Sequence, residues 1–494
     1  MKWMLCRMGT KARRPTRRQV LLGLSATIPS ISLPFSAKPS GRDQVDRYAV
    51  AKVNELVAGR KVSLDLLLPN GSGPNVRPVV EAFHQATGVQ VRMTETPVDD
   101  IVLQLTLDSL GKDGSYDLAL PATFGVPDLV ESGAIVPITE FTKQHEPDGF
   151  RNNVLYRIGD TFDNETFGFQ TDGDAYVMFY HKDFLQNPDE KARYSDTFGY
   201  ELAAPDTWEE LDRQIQYFHR PEQNLCGGLL FRTPGYIAWE WWVRFHAKGV
   251  WPFSNDLVPQ IAGDAGVAAL DELVAVSEFL CPETGSLGLF ENWKRYAKGD
   301  IYCNIGWGGS QKYLNGPASD MRGRMLHRPT PGGEIDGELL VTPYFNWGWN
   351  YVVTSQSTEP EIAYLFALFA SSSRMSTLSV RQQEGYFDPF RTEHYDDTAI
   401  KAAYSEEFLQ VHFESMKQAV PDLYLAHQGA YFRALSDWII RALNKDVPPK
   451  EALARVAENW ELISRRTDFD RQRKRWQELR AKYPASIRSR LRDL

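Results

Sequence analysis

Cysteine and histidine are scarce: four and nine residues in a chain of 494. Cys226, Cys281 and Cys303 share no C-x-x-C spacing. The histidines (His84, His145, His181, His219, His246, His327, His394, His412, His427) form no paired spacing. A disulfide framework and a zinc centre of the finger or metalloprotease kind are therefore excluded, although an oxidising compartment would allow one bridge. HExxH, GxSxG and a phosphate-cradling glycine loop are all missing, so no metal and no cofactor is expected. No internal run reaches the ~18 apolar residues of a membrane-spanning helix. The longest, IAYLFALFA at 362–370, fits a buried helix face. Repeats and low-complexity tracts are absent too. What is plentiful is aromatic: 13 Trp, 21 Tyr and 26 Phe.

Acidic residues are missing from one place only. Residues 1–37 hold seven Lys or Arg (Lys2, Arg7, Lys11, Arg13, Arg14, Arg17, Arg18) and no Asp or Glu. A mildly apolar stretch, VLLGLSATIPSISLPFSA, follows. Charge, apolar run and small residues in that order make an export signal rather than fold. The stretch TRRQVLL at 16–22 resembles the twin-arginine signal, with Arg17 and Arg18 as the pair. An ordinary secretory signal with extra basic residues is the alternative. Either implies a periplasmic protein, with cleavage near Ala37. Cys6 precedes the apolar run and so is not a lipidation site. The chain as a whole carries −9; without those seven cations it carries −16. A broad nucleic-acid-binding face is excluded, and a soluble monomer is expected.

At ~150 residues per domain, the length predicts two or more lobes. VSLDLLLP (62–69) reads as a strand, VRPVVEAFHQATG (76–88) as a helix stopped by Gly88, and VQVRMTET (89–96) as a second strand. A helix over 99–114, a short strand in YDLALPA (116–122) and a helix from 125 that runs into a loop continue the alternation. AYVMFYHKDFL (175–185) is strand then helix, and PDTWEELDRQIQYF (205–218) opens with a strong helix start. Helices over 266–280 and 360–372 and strands over 300–307 and 350–357 follow; the last 150 residues are mostly helical. This order predicts an α/β protein with parallel sheets covered on both faces. From Arg465 onward, eleven Lys or Arg stand against four acids. That stretch reads as a solvated helix face, or as a docking element for an acidic partner.

Five stretches carry a family resemblance: YDLALPATFGVPDLVESGAIVPI (116–138), FGFQTDGDAYVMFYHKDFL (167–185), APDTWEEL (204–211), YAKGDIYCNIGWGGS (296–310) and GWNYVVTSQSTEPEIAYLFALFASSS (348–373). In this order they resemble the extracellular solute-binding proteins of ABC importers, in the sugar-binding branch. His181 and Cys303 depart from the pattern. The resemblance implies the periplasmic binding protein fold: two lobes, each a mainly parallel sheet with helices on both faces, joined by crossing strands. It places residues 58–171 with 339–386 in an N-terminal lobe. Residues 172–338 with 387–465 fall in a C-terminal lobe, and 466–494 form a basic helical tail. It further implies a carbohydrate held in the interlobe cleft and passed to an inner-membrane ABC permease. A receptor that signals to a membrane sensor has the same features.

A sugar offers hydroxyls at its edge and C–H faces above and below, so aromatic plates and carboxylates are the groups to look for. Asp174 matches a ligand-contacting acid of the family's crossing strand, with Asp172 beside it. Trp307 matches a stacking aromatic. Tyr236, Trp239 and Trp241 stand where a helix end often lends an aromatic. Trp347 and Trp349 flank a glycine that permits close approach, and Tyr431 falls near a C-terminal aromatic contact. Asn70, Thr123, Phe124, Tyr386 and Arg391 complete the expected rim, with Arg391 a possible partner of Asp174 or of an acidic sugar. The rival is a glycoside hydrolase using Asp172 and Asp174, which would need its two carboxylates ~5–9.5 Å apart across the scissile bond.

Overall fold

Leucines at 64, 66, 67 and 68 are wholly buried, and they lie on the strand Ser63–Pro69, an inner strand of the first of two five-stranded sheets. The computed structural model describes Gly41 and residues 44–111 and 114–494. The expected export signal lies outside the described residues. The first sheet runs in the order Gln90–Thr96, Ser63–Pro69, Leu118–Ala119, Asn350–Val353, Gly168–Gln170. Helix Gly73–Thr87 links its first two strands, burying Val76, Val79, Val80 and Phe83 at helical spacing. It stops where Gly88 turns left-handed at φ 73°.

The second sheet is centred on Ala175–His181, whose seven residues are all buried. Tyr344–Phe345, Cys303–Gly306 and Met325–Pro329 pair with it, and Val420–Pro421 pairs with Tyr344–Phe345. The α/β class and the two sheet-centred halves are as expected. Strand direction is not uniformly so. The first three strands of the first sheet are mutually parallel, and in the second sheet Val420–Pro421 is parallel to Tyr344–Phe345. Asn350–Val353 runs antiparallel to both its neighbours, and so do the three partners of Ala175–His181 to it. The strand–helix alternation predicted parallel sheets throughout, and the unbroken apolar run of Ala175–His181 does not decide the matter. Burial on both faces produces the same run whatever the direction of its neighbours.

Three segments pass between the sheets. The first is 171–174, between Gly168–Gln170 and Ala175–His181. The second is 346–349, between Tyr344–Phe345 and Asn350–Val353. The return thus lies later than the boundary expected at 339, because Tyr344 and Phe345 pair with Tyr176 and Ala175. The third runs from helix Ser373–Val380, against Gly73–Thr87, to helix Glu406–Lys417, against Met325–Pro329.

Helix Trp208–Phe218 starts with the expected capping box, Thr207 and Glu210 capping each other's backbone N–H groups. Helices Val45–Val57 and Thr139–His145 had no counterpart in the sequence reading. The basic tail is no solvated appendage. Helix Phe469–Lys482 buries Gln472, Arg475, Trp476 and Leu479. The Trp476 indole donates to Ser254 O at 2.8 Å, and its ring meets Trp251 and Phe253.

Candidate functional site

The three crossing segments converge on three buried carboxylates. In 171–174, Gly173 leaves no room for a side chain: a Cβ would stand 2.1 Å from Pro389 O. This close approach brings Asp172 against the third segment. Asp172 Oδ1 accepts the backbone N–H groups of Gly173 (2.8 Å) and Asp388 (2.5 Å). Asp388 in turn accepts from Gly308 N–H at 2.6 Å and from the Tyr404 hydroxyl at 2.9 Å. Asp174 Oδ2 accepts from Gly348 N–H at 3.0 Å, in the second segment, where Gly348 sits at φ 65°. Carboxylate oxygens of Asp172, Asp174 and Asp388 all lie within 4.8 Å of one another.

Burial dominates their electrostatics. Desolvation lifts Asp174 to about 7 and holds Asp172 and Asp388 well above the usual carboxylate range, with mutual repulsion adding to it. Three carboxylates this close in a buried place repel one another, so the cluster retains protons that isolated carboxylates would lose. The nearest cation is Lys312. Its ammonium donates to the carbonyls of Val380, Gln382 and Phe387 at 3.0, 3.1 and 2.9 Å, and burial pulls it down to about 8.

Above the carboxylates stands a cluster of rings. Trp347 is its centre, 5.6 Å from Trp307, 5.2 Å from Trp239, 5.7 Å from Tyr236, 5.9 Å from Phe124 and 5.8 Å from Trp349, centroid to centroid. Tyr386 meets Trp349 at 6.2 Å, and Phe231 stacks on Tyr236 at 4.7 Å. Asp174, Trp307, Trp347, Trp349 and Tyr386, with Leu289, Trp293 and Gly309, line a space of about 20 Å³, enough for one water. A groove of about 670 Å³ opens beside it, between Phe124 and the 98–132 region on one side and Trp239 and the 427–437 region on the other. That volume is in the range of small-molecule sites.

Most expected site residues are brought together here: Asp172, Asp174, Tyr236, Trp239, Trp307, Trp347, Trp349, Tyr386 and Phe124. Thr123 lies close by, its hydroxyl donating to Asn350 Oδ1 at 2.7 Å. Asn70 is exposed in the turn after Ser63–Pro69, next to Gly71, where a Cβ would stand 3.1 Å from the Tyr386 ring. Three others go elsewhere. Trp241 stacks on Phe245 at 5.1 Å and donates to Gly266 O, because it lies across the helix axis from Trp239. Tyr431 packs on Trp460 with its hydroxyl at Ser464, inside the helical layer. Arg391 does not approach Asp174; it donates to Phe150 O, Asn153 Oδ1 and Ser371 O and is 2 % exposed. A buried guanidinium needs several acceptors, and the first crossing cannot supply them. Asp388, Lys312 and Phe231 were not anticipated. Asp388 stands inside GYFDPFR, between the two residues that were singled out, and its Asp-Pro pair reads as a turn.

The sequence profile of a family described as "Bacterial extracellular solute-binding protein" matches residues 79–405. No curated protein sequence matches the chain. Solved structures do. An ABC transporter solute-binding protein from Agrobacterium radiobacter K84, in complex with ribitol, superposes with TM-score 0.69 at 18 % identity over 81 % of this chain and 98 % of that one. Maltose-bound MalE3 of T. maritima gives 0.69 at 16 % identity, over 81 % and 100 %. A solute-binding protein of Thermotoga lettingae bound to α-D-tagatose gives 0.67 at 18 %, over 82 % and 100 %. These likenesses show the two-lobed fold. With the profile covering residues 79–405, the chain belongs to the bacterial extracellular solute-binding proteins.

Proposed function

We propose that this protein captures a carbohydrate, either a sugar or a polyol, in the cleft where the three crossing segments meet, and delivers it to an ABC permease. The observation that carries this is the ring cluster beside Asp174, in which the indole N–H groups of Trp347 and Trp349 are buried without a hydrogen-bond partner. Buried donors are normally satisfied, and hydroxyl oxygens of a ligand would satisfy these. Ring faces supply apolar area for C–H faces, and Asp174 accepts from hydroxyls. The neighbours that hold ribitol, maltose and tagatose support the class.

In this reading Asp174, Trp307, Trp347, Trp349, Tyr236, Trp239, Phe124 and Tyr386 touch the solute. Asp172 shapes the crossing rather than the ligand, since Oδ1 is committed to two backbone N–H groups. Its wholly buried position also disfavours a hydrolase, whose acid and nucleophile must flank an accessible bond. Export by the twin-arginine route belongs to the same proposal, and joint replacement of Arg17 and Arg18 by lysine, with secretion as the readout, tests it.

The experiment for the site is calorimetry on Asp174→Ala with the carbohydrate that most stabilises the wild-type protein in a thermal-shift screen. Loss of charge-assisted hydrogen bonds should weaken binding about tenfold to a hundredfold, with the fold retained. Unchanged affinity would remove Asp174 from the site.

A further inference from the structure

Resting on the carbohydrate reading, we infer that the solute carries a protonated amine among its hydroxyls: an amino sugar or an amino alditol. Three observations point the same way. The first is charge. Asp172, Asp174 and Asp388 converge within 4.8 Å, and among the described residues the cation near them, Lys312, spends its three donors on main-chain carbonyls. Asp172 Oδ2 is buried with no donor at all. Every other ionisable group at this centre fails to supply a positive charge. His412, against Gly173 O, is held neutral by burial, with its pKa down to about 4. Tyr386 and Tyr404 are phenols kept protonated. Arg391 is tied to Phe150, Asn153 and Ser371, and Arg232 and Arg244 to Glu240.

The second observation is the ring cluster. Trp307 and Trp347 line the space that Asp174 faces, and Trp239 lies 5.2 Å from Trp347. Aromatic faces beside a carboxylate attract an ammonium through both the ring quadrupole and the charge. The indole N–H groups of Trp347 and Trp349, at 3 % and 2 % exposure and without partners, ask for oxygen acceptors. A metal ion cannot provide these, whereas a polyhydroxylated amine provides both. The third observation is the mouth. The adjoining groove is lined by Asp99, Asp128, Glu131 and Asp437 against Arg433 and His427, and Glu131 is already held by Arg475. An acid-weighted mouth favours entry of a cation.

Chemically, the ammonium takes the place of the proton that the buried Asp174 carboxyl retains among its acidic neighbours. That proton passes to solvent, and the carboxylate becomes the counter-ion. No covalent bond changes. Uronic acids and sugar phosphates are excluded on the same grounds.

The test is isothermal titration of the full exported chain with matched probes: D-glucosamine, D-galactosamine and 1-amino-1-deoxy-D-glucitol against glucose, galactose, glucitol and the N-acetylated amines. The expected result is at least tenfold tighter binding of an amine than of its hydroxyl and N-acetyl counterparts. Heats that vary with the buffer should report release of close to one proton per amine bound, and Asp174→Asn should abolish that release. Neutral probes that bind as tightly as the amines overturn the amine and leave the carbohydrate reading standing. Failure of every probe, together with failure of all neutral mono- and oligosaccharides, overturns both.

Discussion

Asp174 is the residue on which the chemistry turns. Burial raises its pKa to about 7, so in the folded protein it keeps a proton over a range where the unfolded chain, near 3.8, has lost it. The sign follows from linkage. Below about pH 4 both states are protonated and nothing is lost; between about 4 and 7 the native state binds more protons, so stability falls as pH rises; above 7 the whole penalty stands. A shift of this size corresponds to as much as about 4 kcal/mol. Ligand-free protein should therefore melt at a higher temperature at pH 5.5 than at pH 8.5, and Asp174→Asn should narrow the gap. An unchanged gap would mean the carboxyl is solvated. Asp174, Trp307, Trp347 and Trp349 were legible because each sits in a matched motif beside a strand end, whereas Tyr236 and Trp239 were read from the start of a helix. Asp388 was not, since nothing in FDPF distinguishes a capped turn from a carboxylate turned inward. Arg391 was misread for a related reason: sequence order placed it near the crossing, but two of its three acceptors, Phe150 and Asn153, come from a segment far away in the chain.

At the scale of elements, what held was the strand–helix alternation, because apolar periodicity and glycine or capping stops are local. Gly88 and the Thr207 capping box ended and began their helices as expected. Strand direction and the docking of the tail depend on what packs across, which no local pattern encodes. The tail helix Phe469–Lys482 carries a consequence. Arg475 is buried and paired with Glu131 and Asp163, both on the side of the first sheet, while Trp476 is anchored by Ser254, Trp251 and Phe253. The helix therefore straps together regions on both sides of the groove. Removing the guanidinium leaves Glu131 without its partner and Asp163 held by Arg471 alone. Arg475→Ala should cost about 2–4 kcal/mol, read as a lowered denaturation midpoint. A change below about 0.5 kcal/mol would make it an ordinary surface pair.

For the whole molecule, the space of about 20 Å³ at the ring cluster is too small for a sugar, and the groove beside it is large. Entry therefore requires the rings to spread. The three crossing segments, one carrying a glycine without room for a side chain and another a glycine at positive φ, are where backbone can absorb the change. Burial of Trp307, Trp347 and Trp349 at that centre makes binding visible without a label. The central claim is reversible capture of an unaltered carbohydrate at this centre. Its most direct test is a tryptophan-fluorescence titration of purified protein, with the ligand recovered afterwards. A saturable 1:1 change that is lost in Trp347→Ala, with ligand recovered intact, is the predicted result. Signal that persists in Trp347→Ala, or ligand recovered hydrolysed, would contradict it.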